Sequence, residues 1–506
     1  MMNMISAVRS LLLVLAVSYL AGCGGGSSSS PSPTVSTALS SDNINLIFVV
    51  TPDLVNNTPG DINPDTANLT SQGLQRSLMM ATYLKQQLLG EKNASRIYAL
   101  QPMSHLQTAH NYPDMAAIEY IQQFAMLNQV SLTGVGGYNS PLYTANSFPL
   151  NTSYADPTLG GQALPFQGLE FDKKSGNNAA LVGGLIHYNI PGFYVFSAPW
   201  KTVSDLMATV NAQYGNSMTL PVAYAGANQI YAITIKPSPS VVAKLVTYDS
   251  NLNPPASYPV LPGPLAVAAC PSLNSTPALF GIQAPGVVNG AIIPQKINTN
   301  QTMYLIRHAE AHPWSGWDDG NYVAAGQWRA LALPAALKGK ISPSMVYSID
   351  PAQVYPGASI AAGNSNYSYV RPSLTVAPYA IANSLPYYLV SDINIFDTNS
   401  PYDTSQFFFF GGQFSNTTIL LAWEHNHFPP IITELLSNYF PTGKVLPGDV
   451  PKVPAWPGSD YDTIWTVCAP SVKYAPIPCT LGRIIQIDHH ILRPETHVGI
   501  GTFRPG

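Results

Sequence analysis

Residues 303–310 read Met-Tyr-Leu-Ile-Arg-His-Ala-Glu, an apolar run that ends in an arginine–histidine pair. Such a short apolar run predicts a buried strand. Because α/β folds bind ligands beyond the carboxyl ends of their strands, Arg307 and His308 stand where a site is expected. The stretch therefore predicts both a strand of a parallel sheet and functional residues at its end.

The pattern around this stretch occurs twice in the chain. Pieces of the N-terminal half have counterparts in the same order in the C-terminal half: 46–50 with 303–306, 73–78 with 326–331, 97–102 with 346–351, 194–200 with 419–425, and 230–234 with 464–467. Both pieces at 73–78 and 326–331 have the form Gly-x-x-Arg-x-Leu. Several matches in one order predict an internal tandem duplication.

Short β-rich runs alternate with helical stretches in each half. The predicted strands are 46–50, 96–100, 194–196, 303–306, 345–349 and 418–422, and the predicted helices are 71–89, 324–337 and 430–439. This alternation predicts βαβ units and an α/β fold with mostly parallel sheets and helices on both faces. We expect tandem domains over 43–250 and 299–506, joined by a Pro- and Gly-rich connector over 251–298.

The motif Arg307-His308-Ala309 resembles the Arg-His-Gly signature that ends the first strand in the histidine phosphatase (phosphoglycerate mutase-like) superfamily. The resemblance implies three-layer α/β/α domains, His308 as the nucleophile that takes a phosphoryl group, and Arg307 as a phosphate ligand. Arg371 resembles the family's second phosphate-binding arginine. His425 resembles its second catalytic histidine, which bonds a phosphoryl oxygen. Ala309 departs from the family's glycine.

These residue types suit phosphoryl transfer on physical grounds as well. A histidine nucleophile needs an unprotonated ring nitrogen held in one tautomer. Arginine binds phosphoryl oxygens through paired hydrogen bonds, and nearby cations lower the pKa of a histidine. Arg307, Arg371 and His425 would therefore bind the phosphate, and the charges of the two arginines would also keep His308 unprotonated.

The general acid is harder to assign. One branch of the family has an Asp directly after the second histidine, where this chain has Asn426. The other branch supplies a Glu farther along, in the region that here contains Asp392 and Asp397, and Asp397 fits that spacing better. Glu310 and Glu424 also flank the site, and either could donate a proton or orient a histidine.

The N-terminal copy lacks these groups. Thr51-Pro52 stand in the place of Arg307-His308, Trp200 stands in the place of His425, and Asp114 lies near the place of Arg371. Proline cannot attack phosphorus and aspartate repels a phosphate dianion. We therefore expect a degenerate first domain that keeps the fold without the site.

The start of the chain resembles a bacterial lipoprotein signal peptide over residues 1–23. Arg9 precedes an apolar run at 11–20, too short to span a bilayer, and Leu20-Ala21-Gly22-Cys23 follows. The resemblance implies lipidation of Cys23, a membrane anchor, and a location in the cell envelope, at the outer membrane or periplasmic face. Residues 24–42 then read as a Gly/Ser/Pro tether. The alternative is an ordinary secretory signal.

The net charge and the remaining cysteines limit the classes of partner and cofactor that the chain is expected to bind. The net charge is −4 without a Lys/Arg cluster, which argues against nucleic acid. In an oxidising compartment Cys468 and Cys479 are candidates for a disulfide that closes a short loop, and Cys270 is then left over. No cysteine has metal-site spacing, and the sequence predicts neither a metal nor a cofactor.

The sequence therefore predicts an extracytoplasmic phosphomonoesterase that acts on a small phosphorylated substrate through a phosphohistidine on His308. Two other interpretations stay open. A non-catalytic envelope lipoprotein could bind an anionic or phosphorylated ligand in the inherited site. A structural scaffold would have no affinity for anions.

Overall fold

The computed structural model describes residues 38–56, 60–128, 130–131, 144–145, 150–152, 168–171, 177–237, 242–258, 296–311, 319–352, 354–356, 366–390, 400–439, 453–458, 460–468 and 485–488. Several predictions lie outside these residues: the signal peptide with Cys23, most of the tether and of the connector, Cys270, Asp392, Asp397 and Cys479. Cys468 ends a strand, but its pairing with Cys479 stays a prediction.

The N-terminal half contains a sheet built around a fully buried strand, β1. The strands of this half are β1 Ile44–Val50, β2 Arg96–Ala99, β3 Leu106–Gln107, β4 Tyr112–Pro113, β5 Val130–Ser131, β6 Thr144–Ala145, β7 Leu150–Asn151, β8 Gly192–Ala198, β9 Gln229–Ile235 and β10 Ala243–Asp249. Its helices are α1 Ser71–Tyr83, extended by a π-helical turn Leu84–Leu88, α2 Ala116–Met126, α3 Asn177–Tyr188 and α4 Trp200–Gln213. All seven residues of β1 are buried, as expected for a strand covered on both faces.

The C-terminal half repeats this arrangement. Its strands are β11 Thr302–Arg307, β12 Met345–Ile349, β13 Val354–Pro356, β14 Asn366–Ser368, β15 Tyr387–Val390, β16 Thr418–Trp423, β17 Ile464–Cys468 and β18 Ile485–Asp488. Its helices are α5 Ala324–Leu337, α6 Arg371–Asn383, α7 Ser400–Phe409 and α8 Phe428–Tyr439. The predicted bounds of α5 and β12 agree with the structure.

Both large sheets have one topology. Over the described residues the strand orders are β7-β2-β8-β1-β9-β10 and β15-β12-β16-β11-β17-β18. In each sheet the first three pairings are parallel and the last two antiparallel. The repeated sequence pieces fall on corresponding strands and helices, and the predicted α/β class with mostly parallel sheets is confirmed.

The two halves pack against each other within one unit that spans 38–506. One apolar cluster contains buried side chains from both sheets. Across the contact, the side chains of Gln122 and Asn321 exchange two hydrogen bonds of 2.9 and 3.2 Å. The backbone N–H of Thr152 donates to Ser368 Oγ at 2.9 Å. The N-terminal half therefore fixes segments of the C-terminal half directly.

Within the described part of the chain, no helix combines the length and apolar character needed to cross a bilayer.

The repeated Gly-x-x-Arg has the same structural role in both halves. Gly73 and Gly326 are the third residues of α1 and α5, where a Cβ would collide with the carbonyl oxygen of Asp61 and of Glu310, respectively. The arginine three residues later binds the same loop, because Arg76 pairs with Asp61 and Arg329 with Glu310. The motif thus clamps the loop after the first strand, which in the C-terminal half begins at His308.

Replacing Gly326 with alanine is therefore expected to lower the free energy of unfolding by roughly 1–3 kcal/mol, because the new Cβ overpacks the loop. The added Cβ would lie 2.8 Å from the Glu310 carbonyl oxygen and 2.7 Å from Tyr322 Cβ. Gly184→Ala is the control, since a Cβ there meets nothing within 4 Å and should stabilise α3 by about 1 kcal/mol. Urea unfolding compares the two, and equal effects would contradict the clamp.

Candidate active site

The site forms where two neighbouring parallel strands end together. β11 and β16 pair in a register that places Arg307 opposite Trp423. The backbone N–H of His308 then donates to the Trp423 carbonyl at 2.9 Å. His308 on one strand end therefore lies beside Glu424 and His425 on the other, at the edge of the sheet where the sequence predicts a site.

His308 is buried and held in one tautomer. Its side chain is 2% exposed, and its Nδ1 lies 2.7 Å from the carbonyl oxygen of Ala309. Since a carbonyl oxygen only accepts, Nδ1 carries the proton and Nε2 keeps its lone pair. Burial, reinforced by the charge of Arg371, lowers the pKa of His308 to about 3, although Glu424 acts in the opposite direction. The nitrogen that can attack an electrophile is thus unprotonated at physiological pH.

Arg307 is buried beside His308 and fixed by backbone. Its Nη1 donates to the carbonyl oxygen of Gly458, and its guanidinium lies 3.9 Å from the ring centre of Tyr461. Its Nε is also buried, and it has no hydrogen-bond partner among the described residues. A fixed guanidinium with a donor to spare is suited to an oxygen of an anionic ligand.

Arg371 begins α6, so its side chain extends from the first turn of a helix. Its Nη1 donates to the Asn321 carbonyl at 3.0 Å, and its guanidinium lies 4.8 Å from the ring centre of Tyr369. The same helix fixes the turn after His308, because Thr375 Oγ1 accepts the Ala309 N–H at 2.8 Å. The two arginines therefore come from different elements and their charges reach the same histidine.

Glu424 lies between the two histidines. Its Oε2 is 3.9 Å from His308 Nε2 and accepts the Tyr369 hydroxyl at 2.6 Å, while its Oε1 is 2.8 Å from His425 Nδ1. Burial acts to raise the pKa of Glu424, but the neighbouring His425 side chain, together with His308, Tyr369 and Arg371, lowers it below the usual range. The sequence predicts only that Glu424 flanks the site, whereas in the structure its carboxylate lies between His308 and His425.

The other predicted residues fall into three groups. His425 contacts the site through Glu424. Glu310 does not serve it, because Arg329 binds both carboxylate oxygens, with Nε 2.9 Å from each. This pairing argues against Glu310 as the general acid. Asp397 lies outside the described residues and stays a prediction. Within the described ranges, no group of three His, Cys, Asp or Glu side chains is placed to hold a metal ion.

The corresponding position in the N-terminal half carries different residues. The N–H of Thr51 donates to the Ala198 carbonyl just as the N–H of His308 donates to the Trp423 carbonyl, so Thr51 rather than Pro52 stands in the place of His308. Trp200, two residues beyond Ala198, corresponds to His425. The helix caps, Met115 and Val370, align Ala116 rather than Asp114 with Arg371. With these corrections to the register, none of the three corresponding places in the N-terminal half carries a histidine or an arginine.

Asp114 precedes α2 and binds the first N–H of that helix and a histidine instead. Its Oδ1 accepts the Ala116 N–H at 3.1 Å, and its Oδ2 lies 2.8 Å from His105 Nδ1. The His105 ring in turn stacks on Phe171, with ring centres 3.7 Å apart. These contacts explain why an acidic residue is tolerated at this buried place.

No protein-family model matches the chain, and no curated protein matches it either. Among solved structures, it is similar to a phosphoglycerate mutase from Plasmodium falciparum at 11% identity, with 41% of this chain and 100% of that chain covered and a TM-score of 0.24.

Two proteins described as phosphohistidine phosphatase SixA are also similar to it. The one from Agrobacterium tumefaciens has 14% identity, coverage of 33% of this chain and 89% of that chain, and a TM-score of 0.19. The one from Nakamurella multipartita has 16% identity, coverage of 39% and 99%, and a TM-score of 0.23. Similarities this weak say nothing about the reaction, which has to be inferred from the site.

Proposed function

We propose that this chain is a phosphomonoesterase of the histidine phosphatase type, and that the phosphoryl group passes through His308. The observation that carries the proposal is the state of that histidine. Its Nδ1 proton is held by the Ala309 carbonyl, its Nε2 is unprotonated, and Arg371 lies close enough to lower its pKa. An imidazole prepared in this way beside fixed positive charge suits nucleophilic attack on phosphorus.

The reaction would proceed in two steps. The Nε2 lone pair of His308 attacks phosphorus, so that a P–N bond forms while the ester P–O bond breaks. Arg307 and Arg371 offset the charge on the phosphoryl oxygens throughout. Water then attacks the phosphohistidine and releases inorganic phosphate, which returns His308 to its starting tautomer.

Hydrolysis of p-nitrophenyl phosphate by the purified full-length protein tests this proposal. The assay should cover about pH 4 to 9, because the acid and base limbs report the ionisations that matter. We expect turnover in the presence of EDTA and, after a rapid alkaline quench, phosphate bound covalently to the protein. Turnover without a covalent phosphoryl group would contradict the phosphohistidine step.

A specific observation favours a second candidate, a non-catalytic lipoprotein that binds anions. The Glu424 carboxylate lies beside Nε2 of His308, in the place that a phosphoryl group under attack would need, and this position argues against turnover. Under this alternative the protein would bind inorganic phosphate and show no turnover of any ester at any pH.

The N-terminal half is proposed to arise by tandem duplication and to support the site from outside. Gln122 of this half holds the side chain of Asn321, whose carbonyl accepts from Arg371. Thr152 holds Ser368, which stands just before Tyr369. A copy without a nucleophile can therefore still position the segments that orient the second arginine.

The location proposed for the protein is the cell envelope, with a lipid anchor on Cys23. This proposal rests on the sequence Leu20-Ala21-Gly22-Cys23. Membrane fractionation tests it: the natural chain is expected in the membrane fraction, and Cys23→Ser should move it out of that fraction or leave it uncleaved. Unchanged processing and membrane association in Cys23→Ser would contradict the anchor.

A further inference from the structure

Glu424 gives the site a charge that a simple phosphate pocket would not contain. Arg307, Arg371 and Glu424 carry fixed charges, two positive and one negative, so their sum is +1. His308 adds nothing because it is neutral at physiological pH. A pocket with one net positive charge matches a singly charged ligand better than a doubly charged one.

The position of Glu424 also favours a singly charged ligand. With Oε2 only 3.9 Å from His308 Nε2, any phosphorus that approaches Nε2 must bring a phosphoryl oxygen next to the carboxylate. An unprotonated oxygen of a phosphate dianion would lie next to the negatively charged Glu424 carboxylate and be repelled by it. A protonated oxygen could instead donate a hydrogen bond to Oε2, which is stronger when the acceptor is ionised.

The charged and titratable groups that face Glu424 all keep it ionised when the site is empty. They come from two elements besides its own: His308 and Arg307 lie at the end of β11, and Tyr369 and Arg371 lie at the start of α6. His425 is the next residue on the same segment. Tyr461 lies behind them, against Arg307 and His308. The proton that Glu424 could donate must therefore come from the ligand.

Building on the proposed phosphatase activity, we propose that the site takes its phosphate ester as the monoanion, with the P–OH group bound to Glu424, which passes that proton to the leaving oxygen. This assignment names Glu424 as a catalytic residue. It also supplies the general acid that Glu310 cannot provide.

The step balances in atoms and charge. The His308 Nε2 lone pair forms the P–N bond, and the electron pair of the P–O bond goes to the alcohol oxygen. The proton moves from the P–OH group to Glu424 Oε2 and on to that oxygen, so a neutral alcohol leaves. The product is a phosphohistidine with a doubly charged phosphoryl group and a positively charged ring, which together keep the single negative charge of the substrate.

The first test measures binding and needs no turnover. Inorganic phosphate is titrated calorimetrically at about pH 5 and about pH 8.5, on either side of the second phosphate ionisation. We expect the natural protein to bind at least about 10-fold more tightly at the lower pH, and Glu424→Gln to lose most of this preference. Equal or tighter binding by the natural protein at the higher pH would overturn the proposal.

The second test compares leaving groups. Glu424→Gln is expected to lower kcat for β-glycerophosphate by about 100-fold, because its alkoxide needs a proton, and to change p-nitrophenyl phosphate hydrolysis far less. Glu434→Gln, on α8 outside the site, is the matched control, and Glu424→Asp should retain part of the activity. Hydrolysis of both esters by Glu424→Gln at or above the natural rate would show that Glu424 merely blocks the site.

The two tests separate this proposal from the proposed function. Absence of turnover in the natural protein would overturn the phosphatase proposal and the proton transfer with it. The phosphate titration would still decide whether Glu424 selects a monoanion. Turnover that is equally fast with the glutamine variant would overturn only the role of Glu424.

Discussion

Replacing His308 with alanine is expected to lower kcat for p-nitrophenyl phosphate by about 10⁴-fold or more, because the covalent route is removed entirely. Among the described residues, the group nearest to Nε2 is the carboxylate of Glu424, a poor nucleophile held by Tyr369 and His425. The side chain is 2% exposed, so alanine also leaves a cavity at the strand end. The covalent phosphoryl group should disappear together with turnover.

Two controls separate lost chemistry from lost folding. His187→Ala removes an exposed histidine on α3 and should leave the rate unchanged. Free imidazole added to His308→Ala should restore a measurable part of the rate, because a small heterocycle can occupy the cavity and attack phosphorus. Undiminished hydrolysis by His308→Ala would show that the phosphoryl group does not pass through this residue.

Much of the fold could be predicted from the sequence because the patterns of single helices and strands agree with the order of elements that the internal repeat implies. α5 and β12 match their predicted bounds, and the repeat predicted that both halves share one order of elements. α6 was not among the predicted helices. Pro372 and Pro378 lie within it, and proline usually argues against a helix interior. Pro372 is tolerated because it stands in the first turn, where its missing N–H would have no partner in the helix.

The site was predictable in its residue types but not in its geometry. Arg307, His308, Arg371 and His425 were identified from the resemblance to the family's motifs, and Arg307, His308 and His425 also from their places at strand ends. The role of Glu424 depends on which way the chain turns after β16, and strand periodicity does not extend beyond the strand end. The one-residue correction that gives Thr51 the place of His308 has the same origin, because register follows from backbone pairing rather than from similarity of residues.

The repeated arginine, which the sequence offered only as part of a pattern, turns out to be structural. Arg329 on α5 binds Glu310 through Nε and Nη2 and Asp462 through Nη1 at 2.7 Å. It therefore ties the loop after β11 to the start of β17. Arg76 does the same in the other half, where it reaches Asp61 and Asn228.

Replacing Arg329 with methionine should therefore lower the free energy of unfolding by roughly 3 kcal/mol, because two largely buried carboxylates lose their common partner. The side chains of Arg329, Glu310 and Asp462 are 11%, 23% and 13% exposed, so water compensates only in part. Urea unfolding at neutral pH measures the loss.

Combining Arg329→Met with Glu310→Gln and Asp462→Asn should recover most of the lost stability, because no buried charge then remains without a partner. The triple variant should also recover hydrolysis, since Glu310 is proposed only to hold the loop that begins at His308. If Arg329→Met lowers the free energy of unfolding by less than about 1 kcal/mol, the contacts of Arg329 with Glu310 and Asp462 contribute no more than ordinary surface ion pairs. Stability recovered without activity would instead mean that Glu310 acts on the substrate itself, despite its pairing with Arg329.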